Sequence, residues 1–199
     1  MILENYYYYF EKVLSDEVCD MIMEIGKNKQ EIKAGLRDKT IEKDLSKIRN
    51  SNIAWLDEKF IYDCVHPFVH EANQKAGWNF KWDYSESCQF TKYDTNQFYE
   101  WHSDQNNIPF NHPEDKNFHG KIRKLSVTVS LSNPDEYEGG NLEFDFRNNE
   151  TGNNKKLCEE IRPRGSIVVF PSFVFHRVTP VTKGIRYSLV MWNLGYPYQ

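Results

Sequence analysis

The period of the hydrophobic residues changes once along this chain, near residue 78, and that change limits the folds open to it. Before it, apolar residues recur at helical spacing: Val18, Met21, Ile22 and Ile25 form one stripe, and Phe60, Ile61, Cys64, Val65, Phe68, Val69 and Ala72 form another. From Trp78 onward they alternate in short runs. Strands are expected over 79–84, 87–93, 98–102, 122–131, 142–146, 156–161, 166–170, 175–178 and 186–193. Asn133-Pro134-Asp135, Gly139-Gly140, 147–154 and Pro163-Arg164-Gly165 supply the connections. Helices followed by a run of short strands call for a sandwich or barrel with helical support. No repeat, low-complexity tract or linker divides the chain, so 1–199 reads as a single domain, with 1–77 as helical support and flap and 78–199 as the sheet core.

Within the first part, 6–13 reads as a strand joining a sheet, and Ser15 before Asp16 and Glu17 reads as a helix cap. Residues 26–50 are polar without a period and read as a loop or a flap over a substrate. A short strand is expected at 52–55, then a helix capped by Asp57 and ended by Gly77, with Pro67 forcing a kink or a division into two.

Composition narrows the class. Hydrophobic residues at 39% and aromatics at 15% exclude a disordered chain and suit a sheet-rich core. The net charge of −4, with no Lys/Arg cluster, gives no indication of a nucleic-acid partner. Cys19, Cys64, Cys88 and Cys158 form no Cys-x-x-Cys pair and read as reduced thiols. The N-terminus does not read as a signal peptide, and no apolar run approaches the ~20 residues of a membrane span, so a cytoplasmic location without membrane partners is expected.

The chemistry concentrates in Tyr-Asp-Thr-Asn-Gln-Phe-Tyr-Glu-Trp-His-Ser-Asp, residues 93–104. In extended chain His102 and Asp104 point the same way while Ser103 points away. His176 stands alone among apolar residues in 173–180, and Arg186 opens an otherwise apolar strand. If His176 arrives from a facing strand, two neutral imidazoles and one carboxylate share one side of a metal, the facial triad that suits non-haem Fe(II) and leaves positions open. The alternative for His176 is a core histidine with satisfied hydrogen bonds. A buried arginine, for its part, needs an anionic partner. His66 and His70 share a helical face but have no third ligand nearby, and His112 and His119 read as surface residues.

Tyr93, Tyr99, His102 and Asp104, with His176 and an arginine ten residues beyond it, resemble the Fe(II)- and 2-oxoglutarate-dependent dioxygenases of the prolyl 4-hydroxylase-like branch. Gly139-Gly140-Asn141-Leu142 is similar to that family's Gly-Gly-x-Leu segment, and the likeness covers about residues 84–194. Asn96 stands where the family has glycine; asparagine tolerates positive φ, so the turn can survive.

The resemblance implies a mainly β fold with N-terminal helices: a double-stranded β-helix (jelly roll, cupin-like) core buttressed by two or three α-helices. It implies His102, Asp104 and His176 as ligands of Fe(II), and 2-oxoglutarate held by Arg186 with Tyr93 and with Ser188, or with a hydroxyl from Thr128 or Ser130. O2 is the co-substrate, and ascorbate is allowed. The alternative for Tyr93 is a core aromatic with a hydrogen-bonded hydroxyl, and Tyr99, Trp101 and Trp192 either line an entrance or pack.

The expected reaction couples decarboxylation of 2-oxoglutarate, giving succinate and CO2, to hydroxylation of a peptidyl proline in a peptide or protein substrate. Substrate choice would lie in 26–50 and 105–120. Other residues or small-molecule substrates, a non-catalytic jelly-roll binding module, and a cupin-like enzyme using another metal are the competing readings.

Overall fold

The computed structural model describes residues 3–34, 47–106, 108–147 and 154–198. Two helices lie among them, α1 (Asp16–Asn28) and α2 (Lys59–Lys75). Ser15 caps α1, its hydroxyl accepting from the Val18 N–H, and Asp16 and Glu17 occupy the first turn, where the helix dipole favours acids. The helix continues through Gly26 into the stretch expected to be loop, because Gly26 lies against the Phe90 ring, where a Cβ would sit 2.5 Å from ring carbons. Gly26→Ala is therefore expected to destabilise the fold by about 1–3 kcal/mol through overpacking. A lower urea midpoint at unchanged slope would register it.

In α2 the cap position belongs to Glu58, not to Asp57 as expected. Glu58 makes no side-chain cap bond to the helix; its Oε2 accepts instead from the Asp57 N–H at 3.0 Å. Nor does Pro67 divide the helix, which runs as one element. The bond that proline removes would have used the Asp63 carbonyl, and both residues are exposed, so water can take its place.

The strands in chain order begin with β1 (Tyr8–Phe10), β2 (Ile32–Lys33), β3 (Arg49–Asn50), β4 (Asn52–Leu56) and β5 (Tyr84–Ser85). Next come β6 (Cys88–Tyr93), β7 (Phe98–His102), β8 (Ile122–Ser130), β9 (Tyr137–Gly139) and β10 (Leu142–Asp145). The last are β11 (Lys155–Leu157), β12 (Ile167–Pro171), β13 (Phe175–Val178), β14 (Val181–Gly184) and β15 (Arg186–Gly195). The larger sheet runs β1-β12-β8-β15-β6-β4-β2 with β5 beside β15, the smaller runs β11-β10-β13-β7-β3, and β9 pairs β14. Strands β1 to β4 extend both sheets, so the first 77 residues do more than supply helices.

Three expectations need correction. Residues 79–83 are not strand: the Asn73 side chain binds both the N–H and the carbonyl of Phe80 at 2.9 Å, and Asn79 adopts φ +52°, which turns the chain out of a ladder. The run 156–161 divides into β11 and a 3-10 turn, Glu159–Ile161. The flap shrinks as well, since β2 and β3 lie within 26–50, and 35–46 fall outside the described residues.

Strand β8 is buried at every position despite its alternating sequence. Leu125, Val127 and Val129 join Ile22 of α1 and Ile61, Val65 and Val69 of α2 in the main core. By period two, Ser126 and Thr128 face the other way, toward the smaller sheet. The larger sheet is thus covered on both faces, by helices on one and by the smaller sheet on the other, and the polar inner face of β8 has to serve something between the sheets. Cys19, Cys88 and Cys158 are buried and unpaired, and burial pushes the Cys19 and Cys88 thiols up to about 11 and about 12. No helix among the described residues is long and apolar enough to cross a membrane.

Candidate metal centre between the sheets

Strand register assembles the site. On the smaller sheet β13 runs antiparallel to β7 with His176 directly opposite His102, so the two rings, 4.2 Å between centroids, share one face. Asp104 lies two residues past β7, and its N–H, with that of Gln105, donates to the Ser172 carbonyl at 2.9 Å. The turn after β12 thereby fixes the carboxylate between the sheets, where Oδ2 accepts from Ser126 Oγ at 2.7 Å. Ser126 Oγ also lies 2.9 Å from Ser172 Oγ, tying the three together.

The hydrogen bonds set the tautomers. His102 Nδ1 lies 2.8 Å from the Glu100 carbonyl and His176 Nδ1 lies 3.0 Å from the Val174 carbonyl. A carbonyl only accepts, so each Nδ1 carries the hydrogen and each Nε2 is the nitrogen left to bind. Those Nε2 atoms face Asp104 at 3.7 and 3.6 Å. Tyr99 stacks on the His102 ring at 3.5 Å and Phe170 meets the His176 ring edge-on at 4.7 Å, which holds both orientations. Burial, aided by His176, pushes His102 down to about 3, so the ring is neutral at ordinary pH. For Asp104 burial works upward, but His176, His102, Arg123 and the Ser126 hydroxyl outweigh it and hold the carboxyl down to about 2.

Two imidazole nitrogens and one carboxylate therefore converge, all within 4.8 Å of one another. This donor set suits a divalent transition metal with open positions. Among the described residues it is the one such group of His, Cys, Asp and Glu. His66 and His70 instead bracket Trp82, and His112 is an exposed residue beside Glu114.

The same cavity is lined deeper in by Tyr93, Thr128, Arg186 and Ser188. Arg186 is 3% exposed, its Nη1 donates to Ser188 Oγ at 3.3 Å, and its guanidinium lies 5.5 Å from the Tyr93 ring centroid. No carboxylate among the described residues lies within ion-pair distance of it, and a buried guanidinium calls for an anionic partner. Glycine at 140 makes room for the arginine stem: φ is +58°, and a Cβ there would sit 2.9 Å from Arg186 Cδ. Asn96 has φ +67°, as its place in the motif requires.

Ser130 is buried and pairs with Ser188 but does not itself line the cavity, and Trp101 is taken up with Arg177 and Lys155, whereas Tyr99 and Trp192 do line it. Two residues were missed in the sequence. Ser126 was legible in the polar alternation Ser126, Thr128, Ser130. Arg49 had no signal, lying in a polar stretch without a period. Its guanidinium rests 4.5 Å from the Tyr99 ring centroid, Nε donates to Ser51 Oγ at 3.3 Å, and the buried Nη2 has no partner among the described residues.

The model of the 2OG-Fe(II) oxygenase superfamily matches residues 88–193, just over half of the chain. A PKHD-type hydroxylase of a Synechococcus strain is 40% identical over 68 residues, covering 34% of this chain and 27% of that protein. The PKHD-type hydroxylase YbiX of Escherichia coli is 37% identical over 104 residues, covering 52% and 40%. The matched stretch thus spans less than half the length of these relatives. Among solved structures, a Pseudomonas putida prolyl-4-hydroxylase superposes with TM-score 0.69 at 19% identity over 96% of this chain and 93% of that one. A Trichoplax adhaerens prolyl hydroxylase in complex with a hypoxia inducible factor peptide fragment gives 0.70 at 19% identity over 96% and 84%.

Proposed function

The chain belongs to the 2OG-Fe(II) oxygenase superfamily, and from that premise we propose that it is a 2-oxoglutarate-dependent hydroxylase whose substrate is a peptidyl proline. The observation that carries the reading is a set of two imidazoles and one carboxylate with an arginine in the same cavity that no carboxylate among the described residues pairs. His102, Asp104 and His176 would hold Fe(II) through Nε2, a carboxylate oxygen and Nε2. When bound, the metal with 2-oxoglutarate and O2 supplies the oxidation, in which the co-substrate leaves as succinate and CO2. The chain's own part is to orient and exclude water. Arg186 with Ser188 and Thr128 would receive the far carboxylate by charge-assisted hydrogen bonds, and Tyr93, buried and kept protonated, can donate its phenolic hydrogen.

The two-sheet architecture is that of a double-stranded β-helix on this reading, and 1–199 acts as one catalytic unit. Peptidyl proline as the target rests on the prolyl hydroxylases of similar fold. Arg49, whose Nη2 has no partner among the described residues, would donate to a backbone carbonyl of the substrate. The unpaired thiols suit a reducing compartment such as the cytoplasm.

The test is anaerobic addition of Fe(II) and then 2-oxoglutarate, followed by the weak visible charge-transfer band and, in air with ascorbate present, by succinate release. No band in the intact protein overturns the enzyme reading. Succinate release stimulated by free metabolites and not by prolyl peptides overturns the substrate and keeps the reaction. Ser126→Ala, which removes an outer partner of Asp104, is expected to weaken metal binding about 10–100-fold, measured by titration calorimetry.

A further inference from the structure

A second cavity opens where residues 78–82 and 195–198 part after running side by side. It is about 580 Å³, within the range of small-molecule sites, and none of the candidate metal ligands lines it. Five aromatic residues, Trp78, Phe80, Trp82, Tyr196 and Tyr198, share its lining with polar ones, among them Asn79, Lys81 and Asp83. Lys124 of β8 also lines it, and that residue is 3% exposed. The ammonium donates to the Tyr196 carbonyl at 2.7 Å and lies 3.5 Å from the Tyr198 ring centroid. One carbonyl satisfies one of its three N–H groups, and no carboxylate among the described residues pairs with it. The acid in the lining, Asp83, is taken by Lys121 at 2.6 Å. Buried charges are ordinarily paired, and this one borders a ligand-sized space that also has flat aromatic side chains in its lining.

We propose that this cavity binds a small organic anion with a flat apolar body, its acid group on Lys124 and its ring against Phe80 and Tyr198. A merely structural lysine that anchors residues 196–198 would need no such space. Burial lowers the Lys124 pKa to about 8 with no acid to offset it, as an ammonium awaiting its counter-ion should behave. The groups facing it are Lys81, Asp83 and the phenols of Tyr196 and Tyr198, with Lys121 bound to Asp83. An anion bound there raises that pKa, so binding is full while the lysine is protonated and falls as the pH rises past 8.

The probe is benzoate, titrated calorimetrically into the full chain with 2-oxoglutarate in excess, against neutral benzamide. Benzoate is expected to bind at least tenfold more tightly. Lys124→Met should abolish that preference, Lys124→Arg should retain it, and in the wild type it should fade between pH 7 and pH 9. Equal binding of the two probes, binding of neither, an unchanged preference in Lys124→Met, or displacement of benzoate by 2-oxoglutarate each overturns the proposal. The result is independent of the hydroxylase reading, because no catalytic turnover enters it.

Discussion

His176→Ala is expected to cost the protein its metal and with it at least about 100-fold of any 2-oxoglutarate decarboxylation, since disturbing even an outer partner of a ligand costs about 10–100-fold. Among the described residues no further His, Cys, Asp or Glu joins the group to replace the lost donor. The carboxylate Asp104 already faces both imidazoles and accepts from Ser126, and Phe170 and Phe144 close the rest of the His176 environment with carbon. His102→Ala should behave alike. The measurement is Fe(II) stoichiometry after anaerobic loading, read beside succinate release and a urea melt. An alanine variant that folds, retains one equivalent of iron at wild-type affinity and turns over would remove the triad from the mechanism.

The second large effect belongs to Arg186. Hydrogen bonds to charged groups contribute about 1.5–3 kcal/mol each, so losing a two-point clamp on a carboxylate should raise the 2-oxoglutarate KM by more than about 100-fold. Arg186→Lys should recover only part of this, because an ammonium cannot present two parallel donors. Iron affinity should stay near wild type in both, since the guanidinium donates to Ser188 and to no metal ligand. Folding need not suffer: with no carboxylate among the described residues paired to it, removing the charge orphans none of those acids. A KM unchanged in Arg186→Ala would place the co-substrate elsewhere.

The parts of this molecule legible in the sequence are those governed by near neighbours along the chain. Ser15 caps α1 because its hydroxyl reaches an N–H three residues on. His102 and Asp104 share a side because strand period is two, and Gly139-Gly140 marks a turn of positive φ. Where two local signals competed, reading by neighbours failed: Asn73 draws Phe80 out of the strand its pattern suggested, and an exposed Pro67 leaves α2 whole.

What the sequence alone determined, then, is a helical beginning, a strand-rich remainder and a short roster of chemically apt side chains. Tertiary structure decided the rest. It set His176 opposite His102, brought Ser126 to Asp104, ran β3 beside β7 so that Arg49 lies over Tyr99, and left Lys124 buried beside an aromatic cavity. The reason is that pairing between distant strands is selected by the burial of whole sheet faces, a collective energy that no short window of residues contains. A one-residue slip of β13 would turn His176 to the opposite face, leaving every local propensity intact and the candidate centre dismantled.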